Sequence, residues 1–440
     1  VTDTGVAASA APRARWYVLA VMTLVYALNI ADRFSITTLI EPIRKELALS
    51  DKGIAFLTGT ALVFFYVTAG IPIAALADRL NRRNILAVSL FVWSGVTALC
   101  GVTRTYGQLL LARIAVGVGE AGGTPPSTSI VADNFPPQRR PLALSIYGLG
   151  ACLGAWLGTS VAGRAADVGG WRLAFLVLGL PGVAVALLVW LTVREPRRGQ
   201  LDAGAPQPEP SSFSLRSILT QILVTLRFMR HQRAAIHLVI GGSVATLWSW
   251  GLMYWTPAFL QRSHHLTVGE AGGLLGPMHL IAGTAGTLLA GALMAVPAAR
   301  DARFVTRLLA LAAVLTTVPS FFAYEAGSLP ATTLWLWLFV PGVYFYIGPI
   351  LGLLANVMPA GMRATACAIL LFTANVANLF VAPQLFVGPL SDWFAASYNA
   401  GPESLRWALL LLAPTGLWAA WHLWRAGATI REDEARVRLS

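Results

Sequence analysis

The chain has 440 residues, 56% of them hydrophobic and 12% charged, with a formal net charge of +12. Soluble domains average roughly 45–50% apolar and about 25% charged, so 32 basic and 20 acidic side chains are too few to coat a soluble protein of this length. The composition excludes a soluble enzyme, a secreted domain and a transcription factor, and sets the fold class as all-α integral membrane.

The first apolar stretch, 15–39, follows Arg13 and Arg15. It is too long for a signal-peptide core and lacks a small-residue cleavage site, so it is expected to be a retained first span. Uncharged runs such as Ile54–Ala77 and Asn84–Thr103 match the roughly 20 residues that a helix needs to cross the hydrocarbon core. The first six predicted spans are 15–39, 54–77, 84–103, 108–132, 142–165 and 172–193. The second six are 235–260, 268–296, 304–322, 331–358, 365–390 and 405–424. Between them, 194–233 carries Arg194, Arg197 and Arg198, then a Pro-, Ala-, Gly- and Ser-rich stretch, Ala203–Ser212. It is expected to be a linker ending in an amphipathic surface helix near Leu215–Arg230. The domains are therefore 1–193, a six-helix bundle; 194–233, a cytoplasmic linker; and 234–440, a second six-helix bundle with a short tail.

With both termini on one side, that side carries 22 Lys and Arg and the other 8, while Arg33 and Arg113 lie within spans. By the positive-inside rule both termini are cytoplasmic, and the basic charge reflects topology rather than nucleic-acid binding. Two lysines, Lys45 and Lys52, against thirty arginines, and the initial Val, fit a GC-rich bacterial gene with a GTG start. The expected location is a bacterial inner membrane, crossed many times. The halves also echo each other: Trp171-Arg-Leu-Ala-Phe opens span 6 and Arg406-Trp-Ala-Leu opens span 12, with Pro181-Gly and Pro414-Thr-Gly following at similar distances. Two six-helix bundles joined by a long basic linker are the plan of carriers that rock about a central site.

The loop after span 2, Ala74-Ala-Leu-Ala-Asp78-Arg79-Leu-Asn81-Arg82-Arg83, resembles the signature loop of the major facilitator superfamily, GxxxD(R/K)xGRR. Ala74 and Asn81 stand where that pattern has glycines, and Asn tolerates the left-handed turn. Asp78, Arg79, Arg82 and Arg83 are therefore assigned to a cytoplasmic gate. The matching loop of the second half, Gly291-Ala-Leu-Met-Ala295-Val, lacks the acid, so the gate is expected to lean on the first half. Gly117-Val-Gly119-Glu-Ala-Gly122 matches GxGxxG but sits inside what reads as a continuous apolar helix, without the preceding strand of a dinucleotide site. Its glycines, and those of span 5, are expected to let helices approach closely.

Asp32 and Arg33 in span 1, and Arg113 and Glu120 in span 4, are charges inside the membrane. Each costs about 2.5–3.5 kcal/mol at a bilayer centre on insertion scales, so they should face inward and pair. Arg113 and Glu120, two turns apart, share a helix face about 10 Å apart along the axis. Asp32 and Arg113 fall at similar depth, with Glu120 nearer the midplane. The cluster is either a structural lock on the first bundle or a site where a carboxylate exchanges a proton, desolvation raising its pKa and a nearby Arg lowering it. Arg33 and Arg113 are the strong anion anchors, suited to phosphate or carboxylate.

His237 and His279 read as hydrogen-bonded packing. Asn356, Asn375 and Asn378 either line the cavity or bond between helices. Trp248, Trp250, Tyr254 and Trp255 are cavity wall or, more commonly for aromatics near span ends, interface anchors. Cys100, Cys152 and Cys367 are packing residues. No His, Cys or acid pair has metal-ligand spacing, and no nucleophile–base constellation marks an enzyme. No cofactor is expected beyond protons as the coupling ion.

Leu28-Asn29-Ile-Ala-Asp32-Arg33-Phe, Arg113-Ile-Ala-Val-Gly-Val-Gly-Glu120-Ala, Ser129-Ile-Val-Ala-Asp133-Asn-Phe-Pro and Trp255-Thr-Pro-Ala-Phe-Leu together resemble the Spinster family in a bacterial version. That resemblance implies a major facilitator fold of twelve transmembrane helices and a proton-coupled lipid carrier. Its animal members export sphingosine-1-phosphate or lysophospholipids. It implies that Asp32 takes the proton, with Arg113 and Glu120 completing the network. Asp32 and Glu120 are thus the proton-coupling pair, Arg33, Arg113, Asn29 and Tyr147 the substrate and charge network, and Asp133 a further gate residue. The expected partners are an amphiphilic lipid substrate, lysophospholipid or sphingolipid-like, and the membrane lipids, with the chain a monomer. Organic-anion:cation symporters share the Asp-Arg pair and the Gly-x-Gly-Glu, so a proton-coupled organic-anion symporter stays open, as does a lipid scramblase on the same fold.

Overall fold

The computed structural model describes residues 12–60, 68–70, 72–73, 76–77, 80–198, 200–201 and 215–439, and among them every regular element is helical. Each of the twelve expected spans is represented. Eight stretches are long and apolar enough to cross a membrane by length and composition, one of them, Leu142–Thr192, holding two spans. The remaining spans are divided by breaks or by residues outside the described set.

Span 1 is Pro12–Thr38. A short helix, Ile40–Glu46, and Asp51–Ala55 lead into span 2, which opens with a π-helical turn at Phe56–Thr60. Span 3, Arg82–Cys100, is capped by the Asn81 side chain, which accepts from Asn84 N at 3.0 Å. Span 4 departs from the continuous helix expected of it. Tyr106–Glu120 stops, Ala121–Gly123 turns, and Thr124–Asn134 resumes. Two prolines, Pro125 and Pro126, begin the second piece, where their missing donors do no harm. Gly119 and Gly122 lie against Trp93 and Ser89 of span 3, which is the close approach expected of them.

Span 5 runs through Arg140–Gly148, Gly150–Trp156 and a π-helical turn at Leu157–Val161. The helix Ala162–Thr192 contains the corner to span 6, where Gly169 and Gly170 leave helical geometry and Gly170 takes φ +74°, a conformation that favours glycine. The linker helix appears where expected, at Leu215–Met229. Its Gln221 donates to Gly361 O at 3.0 Å, and Leu219, Leu223 and Leu226 stay exposed.

In the second half, span 7 is Arg233–Ser263. Span 8 joins Val268–Pro277, a π-helical Met278–Gly283 and Thr284–Ala295. Span 9 is Ala302–Glu325, and span 10 is Leu329–Val343 with Ile347–Asn356. Span 11 is Arg363–Val376, a π-helical Ala377–Val387 and Gly388–Tyr398. Span 12 is Glu403–Leu412 and Thr415–Leu439, so its helix continues well past 424. The tail is anchored by Asp433, 1% exposed, whose carboxylate accepts from Ala234 N at 2.7 Å at the start of span 7. Arg431 adds a 2.5 Å pair with Asp301. Replacing Asp433 with Ala is expected to cost about 2 kcal/mol, the scale of a hydrogen bond to a charged group. Faster hydrogen exchange across 425–439, with the membrane spans unchanged, is the readout.

The halves meet along two seams. Ser160 of span 5 donates to Gly272 O of span 8 at 3.1 Å, and Gly276 leaves room for the Ser160 hydroxyl. On the other seam Gly59 of span 2 lies against the Leu379 carbonyl of span 11, and Thr58 hydrogen-bonds the Tyr254 hydroxyl.

Candidate functional site

Span 1 is pressed onto span 5 because Gly150, Gly154 and Gly158 present no side chains to it. A Cβ on Gly154 would stand 2.8 Å from Ile30 Cβ, and one on Gly158 2.7 Å from Phe34 Cβ. This contact turns Asp32, which is 3% exposed, toward spans 3 and 4. Asp32 accepts from Thr97 Oγ1 at 2.5 Å and from Arg113 Nη1 at 2.8 Å. Beside it, Arg33 Nε donates to Glu120 Oε2 at 2.9 Å. Arg113 and Glu120 are both fully buried. The Nε and Nη2 of Arg113, and Oε1 of Glu120, have no hydrogen-bond partner among the described residues. The cluster therefore holds donor and acceptor capacity in reserve, which a purely structural lock does not need.

A cavity of about 290 Å³ opens beside the cluster between the halves. That is close to the lower end of small-molecule pockets. Arg33, Arg113 and Thr58 line it from the first half, and Trp250, Tyr254, Asn375 and Asn378 from the second, with Ile30, Phe34, Ile347 and Leu371 as apolar wall. Cations thus stand on one side and amides on the other. Asn375 donates to Leu371 O at 2.8 Å, while Asn378 Oδ1 has no partner among the described residues. Tyr147 stacks on Tyr26, a cavity residue, with ring centroids 4.7 Å apart. Asn29 is 4% exposed and its Nδ2 is without a partner among the described residues, so it is not joined to the charge pairs through that atom.

The four aromatics of span 7 are not interface anchors. Trp250 and Tyr254 line the cavity, and Trp248 and Trp255 are fully buried, Trp248 donating to Ser320 Oγ at 3.0 Å. His279 bonds the Tyr344 hydroxyl at 3.0 Å and His237 bonds His422 at 2.9 Å, as packing histidines do. No group of three metal-ligating side chains occurs among the described residues.

On the face that carries the termini, Asp78 and Arg79 lie outside the described residues. Arg82, 2% exposed, binds Asp133 at 2.5 Å, Glu195 at 2.7 Å, Ser129 Oγ at 2.6 Å and Pro196 O at 2.9 Å. Arg83 instead turns outward onto Asn84 Oδ1 at 2.7 Å, and only its backbone N reaches Glu195.

The opposite face holds a cluster that sequence reasoning missed. Arg262, at the end of span 7, binds Asp51 with 2.7 and 2.6 Å bonds and Glu41 at 2.7 Å. Asp392, in span 11, accepts from the backbone N of Asp51 and Lys52 at 2.8 and 2.9 Å, and Ser391 donates to Asp51 at 2.6 Å. Every one of these bonds joins the two halves. Burial alone would raise the pKa of Glu41, but hydrogen bonding to Arg44 and the charge of Arg262 hold it below the usual value. Burial likewise opposes ionisation of Asp51, and the bond and charge of Arg262 again keep it low. Thr97 and Glu195 were missed too. The hydroxyl and the acid carry no positional signal of their own, and partners more than 200 residues apart, as in the Arg262 cluster, leave no spacing pattern.

The fold and the buried charges define a membrane transporter. The chain belongs to the Major Facilitator Superfamily, whose family profile matches residues 22–383. Within it the likeness is to Spinster proteins. A solved bacterial homolog to the human lysosomal transporter Spinster, in an inward-facing and unoccupied conformation, superposes with TM-score 0.80 at 28% identity, covering 96% of this chain and 99% of that one. The sphingosine-1-phosphate transporter SPNS2 of Danio rerio is 35% identical over 178 residues, 40% of this chain and 35% of its own. An MFS-type efflux pump of Mycolicibacterium smegmatis (strain ATCC 700084 / mc(2)155) is 31% identical over 98% of this chain and 97% of its own. The expected fold and the Spinster resemblance are borne out, and the protein is a transporter rather than an enzyme.

Proposed function

We propose that the chain is a proton-coupled, alternating-access carrier of an amphiphilic lipid with an anionic headgroup. It works as a monomer in a bacterial inner membrane with both termini cytoplasmic. The observation that carries the reading is that both arginines of the cavity are tied to buried carboxylates, Arg113 to Asp32 and Arg33 to Glu120. A guanidinium whose charge is already met by a carboxylate draws an anion only weakly, even where it has N–H groups to spare, as Arg113 does. Protonating Asp32 or Glu120 releases the arginine, and an anion that then binds it raises the carboxylate's affinity for its proton. Proton and anion binding strengthen each other, as linkage requires.

The apolar wall beside the arginines suits a hydrocarbon chain, which is why an amphiphile fits better than a small organic anion. The cluster around Arg262 closes the face opposite the termini, so the cavity serves the cytoplasmic side in this conformation. The Spinster relatives support the same class of cargo.

The test uses purified protein in liposomes that enclose a pH-sensitive dye, challenged in turn with a lysophospholipid, a sphingoid phosphate and a small carboxylate. Lipid-triggered proton movement in wild type, lost in Asp32→Asn, is expected. A response to the carboxylate alone overturns the lipid cargo and points to an organic-anion symporter. Lipid movement without saturation or proton flux points to a scramblase.

A further inference from the structure

We infer that the membrane-facing surface of spans 7, 9 and 12, near the ends that carry the termini, is a specific binding site for an anionic phospholipid, separate from the transport cavity. Span 12 presents Trp418, Trp421 and Trp424 outward, 50%, 52% and 55% exposed. With Arg425 they fall within about 120° of one another around a helix of 3.6 residues per turn. Each flank of this ridge has a polar partner on a neighbouring span. On one side Arg307 of span 9 lies over the Trp424 ring, its guanidinium carbon 5.0 Å from the centroid. On the other, His237 of span 7 packs edge-on against Trp421 at 5.7 Å and shares a 2.9 Å Nδ1–Nδ1 hydrogen bond with His422.

Two features identify the occupant. Arg307 and Arg425 are exposed, and neither forms an ion pair among the described residues, although Arg82, Arg113 and Arg262 each do. Unpaired cations at the edge of an otherwise apolar surface, with Ile236, Ile240 and Leu417 beyond them, match a phosphate headgroup whose acyl chains run along the helices. The second feature is the histidine pair. One Nδ1 must donate and the other accept, and in the tautomer where His422 donates, the proton of His237 sits on Nε2. That N–H is a donor for a phosphate oxygen that leaves the imidazole uncharged. A neutral lipid satisfies the apolar ridge but brings no counter-charge, and a zwitterionic one brings a phosphate whose charge its own ammonium offsets, so neither neutralises two arginines as an anionic headgroup does. The inference does not depend on which cargo the central cavity takes.

The experiment is native mass spectrometry of the purified full chain titrated with dioleoylphosphatidylglycerol and, separately, dioleoylphosphatidylcholine. Wild type is expected to retain the phosphatidylglycerol preferentially. The double variant Arg307→Gln/Arg425→Gln is expected to lose about 25-fold in phosphatidylglycerol affinity, about fivefold for each arginine near a headgroup, with phosphatidylcholine binding unchanged. A control pair on the same face, Arg139→Gln/Arg227→Gln, should leave the preference intact. Equal retention of the two lipids by wild type, or a double variant that binds phosphatidylglycerol like wild type, overturns the site. Because both arginines are exposed and unpaired, unchanged thermal unfolding of the double variant separates a lost site from a lost fold.

Discussion

Arg262→Ala is expected to open the face opposite the termini. The arginine is the only cation described between Asp51 and Glu41 on the second half, and its removal leaves two nearly buried carboxylates facing span 7 with only Arg44 and Lys45 of their own half as counter-charge. Breaking a buried pair by deleting one partner costs about 3–5 kcal/mol, which moves a two-state equilibrium by two to three orders of magnitude, roughly 150- to 5000-fold. Spin labels at Val168 and Tyr398, both exposed near that face, should report a new long-distance population. Combining Arg262→Leu with Glu41→Gln and Asp51→Asn should restore the short distance in part, since the uncompensated charge is then gone. A wild-type distance in Arg262→Ala alone would show that the seams, not the ion pairs, hold that face shut.

The same cluster sets a direction with pH. Glu41 and Asp51 have pKa values held below their usual range while the face is closed, by the hydrogen bonds and charges of Arg44 and Arg262 acting against burial. When the face opens, Arg262 and Ser391 leave with the second half while Arg44 stays beside Glu41, so the values rise part of the way toward normal. The stabilisation of the closed form is therefore complete above the usual carboxylate range and disappears as pH falls through the depressed values. Lys45, Ser391 and Asp392 complete the groups around the two acids. At neutral pH the closure is intact, and acid on that side loosens it.

The second large effect belongs to Asp32. Asp32→Ala leaves Arg113, fully buried and already holding two unpartnered nitrogens, without its carboxylate, and should destabilise the fold by about 3–5 kcal/mol. The double replacement Asp32→Leu/Arg113→Leu removes both charges and should recover most of that loss, because an apolar pair of similar size often matches a buried ion pair in stability. Transport should stay absent. Thermal unfolding and the liposome assay together decide the matter: recovery of stability without transport marks the pair as functional, and recovery of both marks it as a structural lock.

The span count, the halves and the buried charges were legible because each has a local cause. A charge inside an apolar run is visible without knowing what it meets, and Asp32, Arg33, Arg113 and Glu120 were found that way. Their exact pairing was not, since the choice of Arg113 for Asp32 and of Arg33 for Glu120 depends on how far span 1 sinks onto the glycines of span 5. Span 4 read as continuous because Gly122 and Gly123 tolerate a helix as well as a turn, and only the packing on span 3 chooses. Arg262 was visible as a residue but invisible as a partner. Its partners Asp51 and Glu41 lie more than 200 residues away, so only the folded chain sets them across from it. The aromatics of span 7 stayed open between cavity wall and interface anchor for a related reason, because a tryptophan near a span end looks the same whether lipid or another helix lies beside it.

Among the described residues the π-helical turns fall at Phe56–Thr60, Leu157–Val161, Met278–Gly283 and Ala377–Val387, one each in spans 2, 5, 8 and 11. Those positions are three apart along the chain, so every group of three spans contributes its middle member. A widened turn arises when a residue is accommodated without breaking the helix, and it is awkward to invent four times independently at matching places. The recurrence follows the period of the three-span repeats nested within each six-helix half of this superfamily, so each repeat carries its irregular turn in the equivalent helix.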